Sequence, residues 1–142
     1  MPDDSAPSAA GRSAGSRIAG QVGDFHRAYG LPVAWEPCAA ISGDQATLRQ
    51  SLIDEETGEL RDAVAAGDIV AIADALADIV YVAYGTACVY GIDLDAVLDE
   101  VHASNMTKLG ADGLPIRRPD GKVLKGPDYR PPDVAGVLGI GR

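Results

Sequence analysis

Residues 48–64 read LRQSLIDEETGELRDAV and decide the fold, because their apolar positions recur at the spacing of a helix. At about 100° per residue, Glu56 falls in the middle of the apolar stripe, flanked by Leu52 and Leu60, and Glu55 stands at its edge. No basic residue of the segment is expected close to that stripe. A carboxylate that faces a core is costly unless it is paired or binds a metal. The segment therefore predicts a helix with an acidic site on its inner face.

The next apolar segment repeats this anomaly. Residues 68–90 read DIVAIADALADIVYVAYGTACVY, which is apolar almost all the way round a helix, yet Asp74 and Asp78 share one of its faces. Two helices that direct carboxylates inward predict a shared divalent-cation site. The apolar surface of the second helix predicts burial on every side, which a partner subunit would help to provide.

Length and charge limit the classes of function. The chain has 142 residues, enough for one domain, with a net charge of −9. Residues 51–100 hold twelve acids and one base, whereas residues 101–142 hold seven Lys or Arg and four Asp. Such an acidic surface would repel nucleic acid polymers but attract Mg²⁺ or Mn²⁺, and the basic end could hold a small polyanion.

The cellular compartment is predicted from the position and length of the apolar segments. The N-terminus has no apolar core of a signal peptide, and residues 79–90 are too few for a membrane span. We expect a cytoplasmic protein with no membrane partner.

Helix-start and helix-stop signals predict an all-α bundle of about four helices in residues 16–110. Asp68 and Asp93 are expected N-caps, and Gly30, Gly67 and Gly91 are expected stops. The predicted helices are 17–29, 45–66, 69–90 and 94–106. We expect residues 1–15 to be disordered and residues 111–142 to form a basic tail rich in Pro and Gly. In that tail, Asp-Gly pairs predict a small hairpin around residues 119–122, and the prolines at 127, 131 and 132 exclude a helix after it.

Glu55, Glu56 and Glu59 form an E-E-x-x-E pattern. The i, i+3 spacing of Glu56 and Glu59 lets both carboxylates reach one ion, and an all-carboxylate site selects Mg²⁺ or Mn²⁺. The alternative interpretation is a solvated acidic turn.

An ordered set of motifs resembles the MazG-like, all-α nucleoside triphosphate pyrophosphohydrolases over about residues 20–130. The set comprises the E-E-x-x-E pattern, the run Ala77-Asp78-Ile79-Val80-Tyr81-Val82 followed by Tyr84-Gly85, then Gly91-Ile92-Asp93, then Asn105-Met106 with Lys108-Leu109, and the tail GKVLKGPDYRPPD. The resemblance implies a helical bundle assembled at least as a dimer, either a homodimer or a homotetramer. It also implies Mg²⁺ or Mn²⁺ between two helices, and hydrolysis of an NTP or dNTP to the monophosphate and pyrophosphate.

The family pattern usually ends E-x-x-D, but Ala75 precedes Asp78 here. Asp74 could supply the missing carboxylate, or water could fill the gap. The resemblance implies that Glu56, Glu59 and Asp78 are metal ligands. Glu55 would then be a further ligand or the group that orients the attacking water.

Substrate contacts would come from outside the acidic helices. Candidates for the phosphates are Asn105, Lys108, Lys122, Lys125 and Arg130. Lys108 could instead be a favourable cation at a helix end, and the tail bases a solvated surface. His26, Trp35 and Tyr129 could form the wall that recognises the base, although a lone His or Trp more often fills a core.

Three functions remain open. The first is a (d)NTP pyrophosphohydrolase acting on the nucleotide pool. Tails of this type in similar proteins favour purine deoxynucleotides such as dGTP or dATP. The second is a phosphoribosyl-ATP pyrophosphatase, and the third is a non-catalytic helical interaction module, which the alanine at position 75 would suit.

Overall fold

The structure, a computed structural model, describes residues 15–141 and is mainly helical. The disorder expected of residues 1–15 therefore falls almost wholly outside the described residues. The elements are α1 (Arg17–Ala28), α2 (Gly43–Ala66), α3 (Ile69–Tyr90), α4 (Leu94–Asn105), β1 (Ile116–Arg117), β2 (Val123–Leu124) and α5 (Val134–Leu138). The expected all-α bundle is confirmed, and each of the four long helices lies within two residues of its predicted bounds.

Short polar side chains begin the helices, and glycines cap the C-terminal ends of α2, α3 and α5. The Asp68 carboxylate accepts hydrogen bonds from the backbone N–H groups at the start of α3, and Asp93 does the same for α4. Ser42 caps α2, which begins at Gly43, two residues before its predicted start. Gly67 and Gly91 adopt the left-handed conformation, with φ of 64° and 71°. The helix bounds therefore follow from local chemistry.

The tail holds the predicted hairpin and one unexpected helix. β1 and β2 are antiparallel, with Ile116 opposite Leu124, around the predicted turn. The prediction that the prolines exclude a helix was wrong, because α5 follows Pro132 directly. A proline interrupts a helix only from inside it, and here the Asp133 carboxylate caps the new helix by accepting from the Gly136 N–H.

Packing is concentrated in the antiparallel pair α2 and α3, with α1 against α3 and α5 against α4. The buried apolar side chains among the described residues are Val22, Ala63, Ala75, Tyr84, Ala87 and Val89. This is a small core for four long helices.

Helix α3 is not buried on every side in a single chain. Ile69 is 74% exposed, Val70 76%, Leu76 50% and Val80 46%. By length and composition α3 could also cross a membrane, a criterion that core helices of soluble proteins meet as well. The burial that the sequence predicts would require a covering partner.

Candidate metal centre

The carboxylates of Glu56, Glu59 and Asp78 converge where α2 faces α3. Each side chain offers one ligand atom, and these atoms lie within 4.8 Å of one another. Glu56 and Asp78 are half-buried, whereas Glu59 is exposed. The cluster therefore has one open side and one closed side, as a site that admits an ion and a substrate requires.

Glu56 carries the strongest indication of a missing partner. Its Oε2 is buried and has no hydrogen-bond donor within the described part of the chain. Burial raises the pKa of Glu56, and the negative charges of Glu59 and Asp78 raise this pKa further. A buried acceptor among like charges is unfavourable, and a divalent cation would remove both penalties. The donor set thus fits Mg²⁺ or Mn²⁺.

The other acids near the cluster stand apart from it. Glu55 and Asp74 are exposed, and neither belongs to the group of converging ligand atoms. Ala75 is buried, with 2% of its surface exposed. The described residues therefore bring together three carboxylates, and Asp74 does not occupy the position of the absent fourth one.

Arg49 is a residue that the sequence reasoning missed. It lies seven residues before Glu56, which places the two side chains only about 20° apart around α2. The expectation that no base lies near the apolar stripe was therefore wrong. Arg49 is 6% exposed, and burial lowers its pKa. The seven-residue spacing could have revealed it, but an arginine is normally assigned to the surface.

The residues proposed to contact a base have three different environments. His26 is 2% exposed, and its Nδ1 donates a hydrogen bond to the Pro32 carbonyl, so it is part of the core. Trp35 is exposed and lines a cavity of about 680 Å³ that contains none of the three carboxylates. Tyr129 is half-buried and lies under Lys125, whose Nζ is 4.7 Å from the ring centre.

The proposed phosphate contacts lie on α4 and the tail. Asn105, Lys122 and Lys125 are exposed, and Lys108 is half-buried. Among residues 15–141, no hydrogen bond or ion pair joins these groups to the carboxylate cluster.

Arg130 has structural partners. Its Nη1 lies 2.8 Å from Glu100 Oε1, its N–H donates to Thr107, and its carbonyl accepts from Ser104. These contacts attach the tail to α4. They also occupy the guanidinium in a role that the sequence did not suggest.

Two comparisons with known proteins bear on the family of this chain. The family model of phosphoribosyl-ATP pyrophosphohydrolase matches residues 22–105, which include all three carboxylates. The chain is also 43% identical over 77 residues to an uncharacterized protein of Acanthamoeba polyphaga mimivirus. That match covers 52% of this chain and 31% of the viral protein, so the chain spans about a third of this relative. Because the family model covers more than half of its length, the chain belongs to the phosphoribosyl-ATP pyrophosphohydrolase family, whose members are pyrophosphohydrolases of nucleotides.

Proposed function

We propose that this protein is a Mg²⁺- or Mn²⁺-dependent hydrolase that converts a (d)NTP to the (d)NMP and pyrophosphate. The observation that carries the proposal is the buried, unpartnered Oε2 of Glu56 inside a cluster of three carboxylates. Structural acidic turns do not bury an oxygen that lacks a donor, whereas metal sites do.

Glu56, Glu59 and Asp78 would hold the cation, and water would supply its remaining ligands. A bound divalent ion supplies charge neutralisation at the phosphates and acidifies water. Glu55 lies beside the cluster without joining it, so it is available to orient the attacking water and take its proton.

The departing pyrophosphate needs cations, and the bases of α2 and α3 are two: Arg49, which is buried and bonded to α3, and Arg61, which is exposed. We assign this role to Lys108, with Lys122 and Lys125 of the tail as further phosphate contacts and Asn105 as a donor to the sugar or phosphate.

A second copy of the chain would complete the assembly. The exposed apolar side chains of α3 form a stripe of the kind that marks a protein interface. We propose a homodimer, or a homotetramer built from it. In sedimentation velocity, Leu76→Glu should give a smaller species than the wild type. The matched control Leu114→Glu changes a side chain in the tail that is 61% exposed, and it should leave the size unchanged.

A substrate panel tests the reaction. Incubation with each dNTP and Mn²⁺ should yield the monophosphate and pyrophosphate, and purine deoxynucleotides such as dGTP and dATP are the substrates we expect to turn over fastest. Orthophosphate release without pyrophosphate would exclude cleavage between the α and β phosphates. Chelation with EDTA should stop turnover.

Phosphoribosyl-ATP is the second candidate substrate, favoured by the family model that matches residues 22–105. Turnover of phosphoribosyl-ATP together with inertness toward every dNTP would replace the first proposal with this one. No turnover of any of these compounds would favour the non-catalytic module. A cytoplasmic location follows from either enzymatic proposal, since the substrates are soluble cytoplasmic nucleotides.

A further inference from the structure

Arg49 joins the two helices that carry the metal ligands. Its Nε donates to Thr86 Oγ1 and its Nη2 donates to the Val82 carbonyl, both at 3.2 Å. Within residues 15–141, these are the side-chain hydrogen bonds that connect α2 to α3. Gly67 and Asp68 connect the two helices at one end, and the bonds of Arg49 hold them together farther along the pair.

The burial of Arg49 is expensive and calls for an explanation. Arg49 is buried, with 6% of the residue exposed, and it has no carboxylate partner among the ion pairs of the described residues. An apolar residue of similar volume in such a place is usually as stabilising or more so. Arg49 is therefore not explained by stability.

Gly85 provides the space that Arg49 occupies. A Cβ added at Gly85 would lie 2.5 Å from Arg49 Nη2 and 2.9 Å from His26 Nε2. Both neighbours are side chains of the core, so the position of the guanidinium is defined by packing as well as by its hydrogen bonds. An arginine held in this way can limit the movement of one helix along the other.

The spacing along α2 and α3 relates Arg49 and its acceptors to the carboxylates. Along α2, Arg49 precedes Glu56 by seven residues, about 10 Å. Along the antiparallel α3, the contacts at Val82 and Thr86 lie four and eight residues after Asp78, about 6 and 12 Å. A screw displacement of α3 by one residue would move the helix by about 1.5 Å and turn Asp78 by about 100°, away from the two glutamates.

We propose that Arg49 is a positioning residue of the metal centre: its bonds to Thr86 and to the Val82 carbonyl fix the register of α2 against α3, so that Asp78 meets Glu56 and Glu59. The inference rests on the proposed metal-dependent function. It assigns no contact between Arg49 and the ion or the substrate.

The affinity for Mn²⁺ tests the proposal, because a purely electrostatic role and a positioning role of Arg49 predict changes in affinity of opposite sign. Removing a positive charge near a cation site should tighten Mn²⁺ binding by Coulomb's law. Loss of register should weaken it instead, by about ten-fold, as is usual when a supporting residue of a metal site is lost. We expect weaker binding for both Arg49→Met and Thr86→Val, measured by electron paramagnetic resonance of free Mn²⁺. Thermal unfolding in EDTA should show that the metal-free variants remain folded.

Arg61→Met is the matched control. It removes one positive charge from the exposed side of the same helix, so it should leave Mn²⁺ affinity unchanged or slightly raised. If Arg49→Met fails to fold, Thr86→Val decides, because it keeps the charge and removes one acceptor. Wild-type affinity, or a higher one, in folded Arg49→Met and Thr86→Val would overturn the proposal. Failure of the wild type to bind Mn²⁺ would instead remove the proposed metal dependence, and it would be seen before any variant is compared.

Discussion

Substitution of Gly85 by alanine tests how tightly the centre of the bundle is packed. The added methyl would lie 2.5 Å from Arg49 Nη2 and 2.9 Å from His26 Nε2, well inside the normal contact distance. The ends of exposed side chains would move aside at little cost. Here His26 is 2% exposed and bonded to Pro32, and Arg49 cannot move without leaving its acceptors.

The size of the effect follows from three contributions. Overpacking of a filled core costs roughly 1–3 kcal/mol. Displacement of a buried charged donor from one acceptor costs about 1.5 kcal/mol more. The higher helix propensity of alanine offsets about 1 kcal/mol of this loss of stability. We therefore expect Gly85→Ala to lower the free energy of unfolding by about 2 kcal/mol, which corresponds to roughly 6 °C in the unfolding midpoint of a chain of this size.

Gly58→Ala is the matched control, because it makes the same change in the interior of α2. No atom lies within 4 Å of a Cβ at Gly58, so only helix propensity operates. This variant should be more stable than the wild type by up to about 1 kcal/mol. Urea unfolding of both variants at one fixed protein concentration measures the difference. Equal stability of Gly85→Ala and the wild type would show that Arg49 and His26 are free to move, and would refute the reasoning.

Three further predictions concern the carboxylates. Glu59→Gln should abolish turnover with little loss of fold, since Glu59 is an exposed member of the cluster. Circular dichroism measures the fold and the pyrophosphate assay measures turnover, and wild-type turnover would show that the ligand assignment is wrong. Saturation with Mn²⁺ at about 100 times its dissociation constant should raise the free energy of unfolding by about 2.7 kcal/mol, and this gain should be absent from Asp78→Asn. In EDTA, the free energy of unfolding should fall as Glu56 loses its proton with rising pH. The pKa of Glu56 is raised in the folded state, so its contribution to stability is fully present below the ordinary pKa of glutamate. That contribution is lost as the pH rises through the folded-state pKa. Glu56→Gln should flatten that part of the pH profile of urea unfolding, and an unchanged profile would contradict the assignment of the raised pKa to this residue.

Much of this protein could be predicted from sequence because the determining interactions are local. Caps such as Asp68 and stops such as Gly67 and Gly91 act within one turn of helix, so they fix where helices begin and end. The inward direction of Glu56 follows from the helical period alone. The sequence also shows that Asp78 lies on an apolar helix, so both helices carry an acid where an apolar residue is expected.

Other features depend on which helices meet, and sequence reasoning missed them or assigned them differently. Arg130 was predicted to contact phosphate, and the structure shows in addition that one of its guanidinium nitrogens donates to Glu100 of α4. His26 was expected at a base-binding wall, but α1 packs it into the core. The helical period could have placed Arg49 on the inner face of α2, but its contacts with Gly85 and Thr86 depend on the packing of another helix.

The helices, their ends and the inward carboxylates follow from the sequence, because they depend on neighbours along the chain. The convergence of Glu56, Glu59 and Asp78, the exclusion of Glu55 and Asp74 and the burial of Arg49 depend on how the helices pack. Convergence depends on the register between α2 and α3, which is set by contacts between residues far apart in the chain.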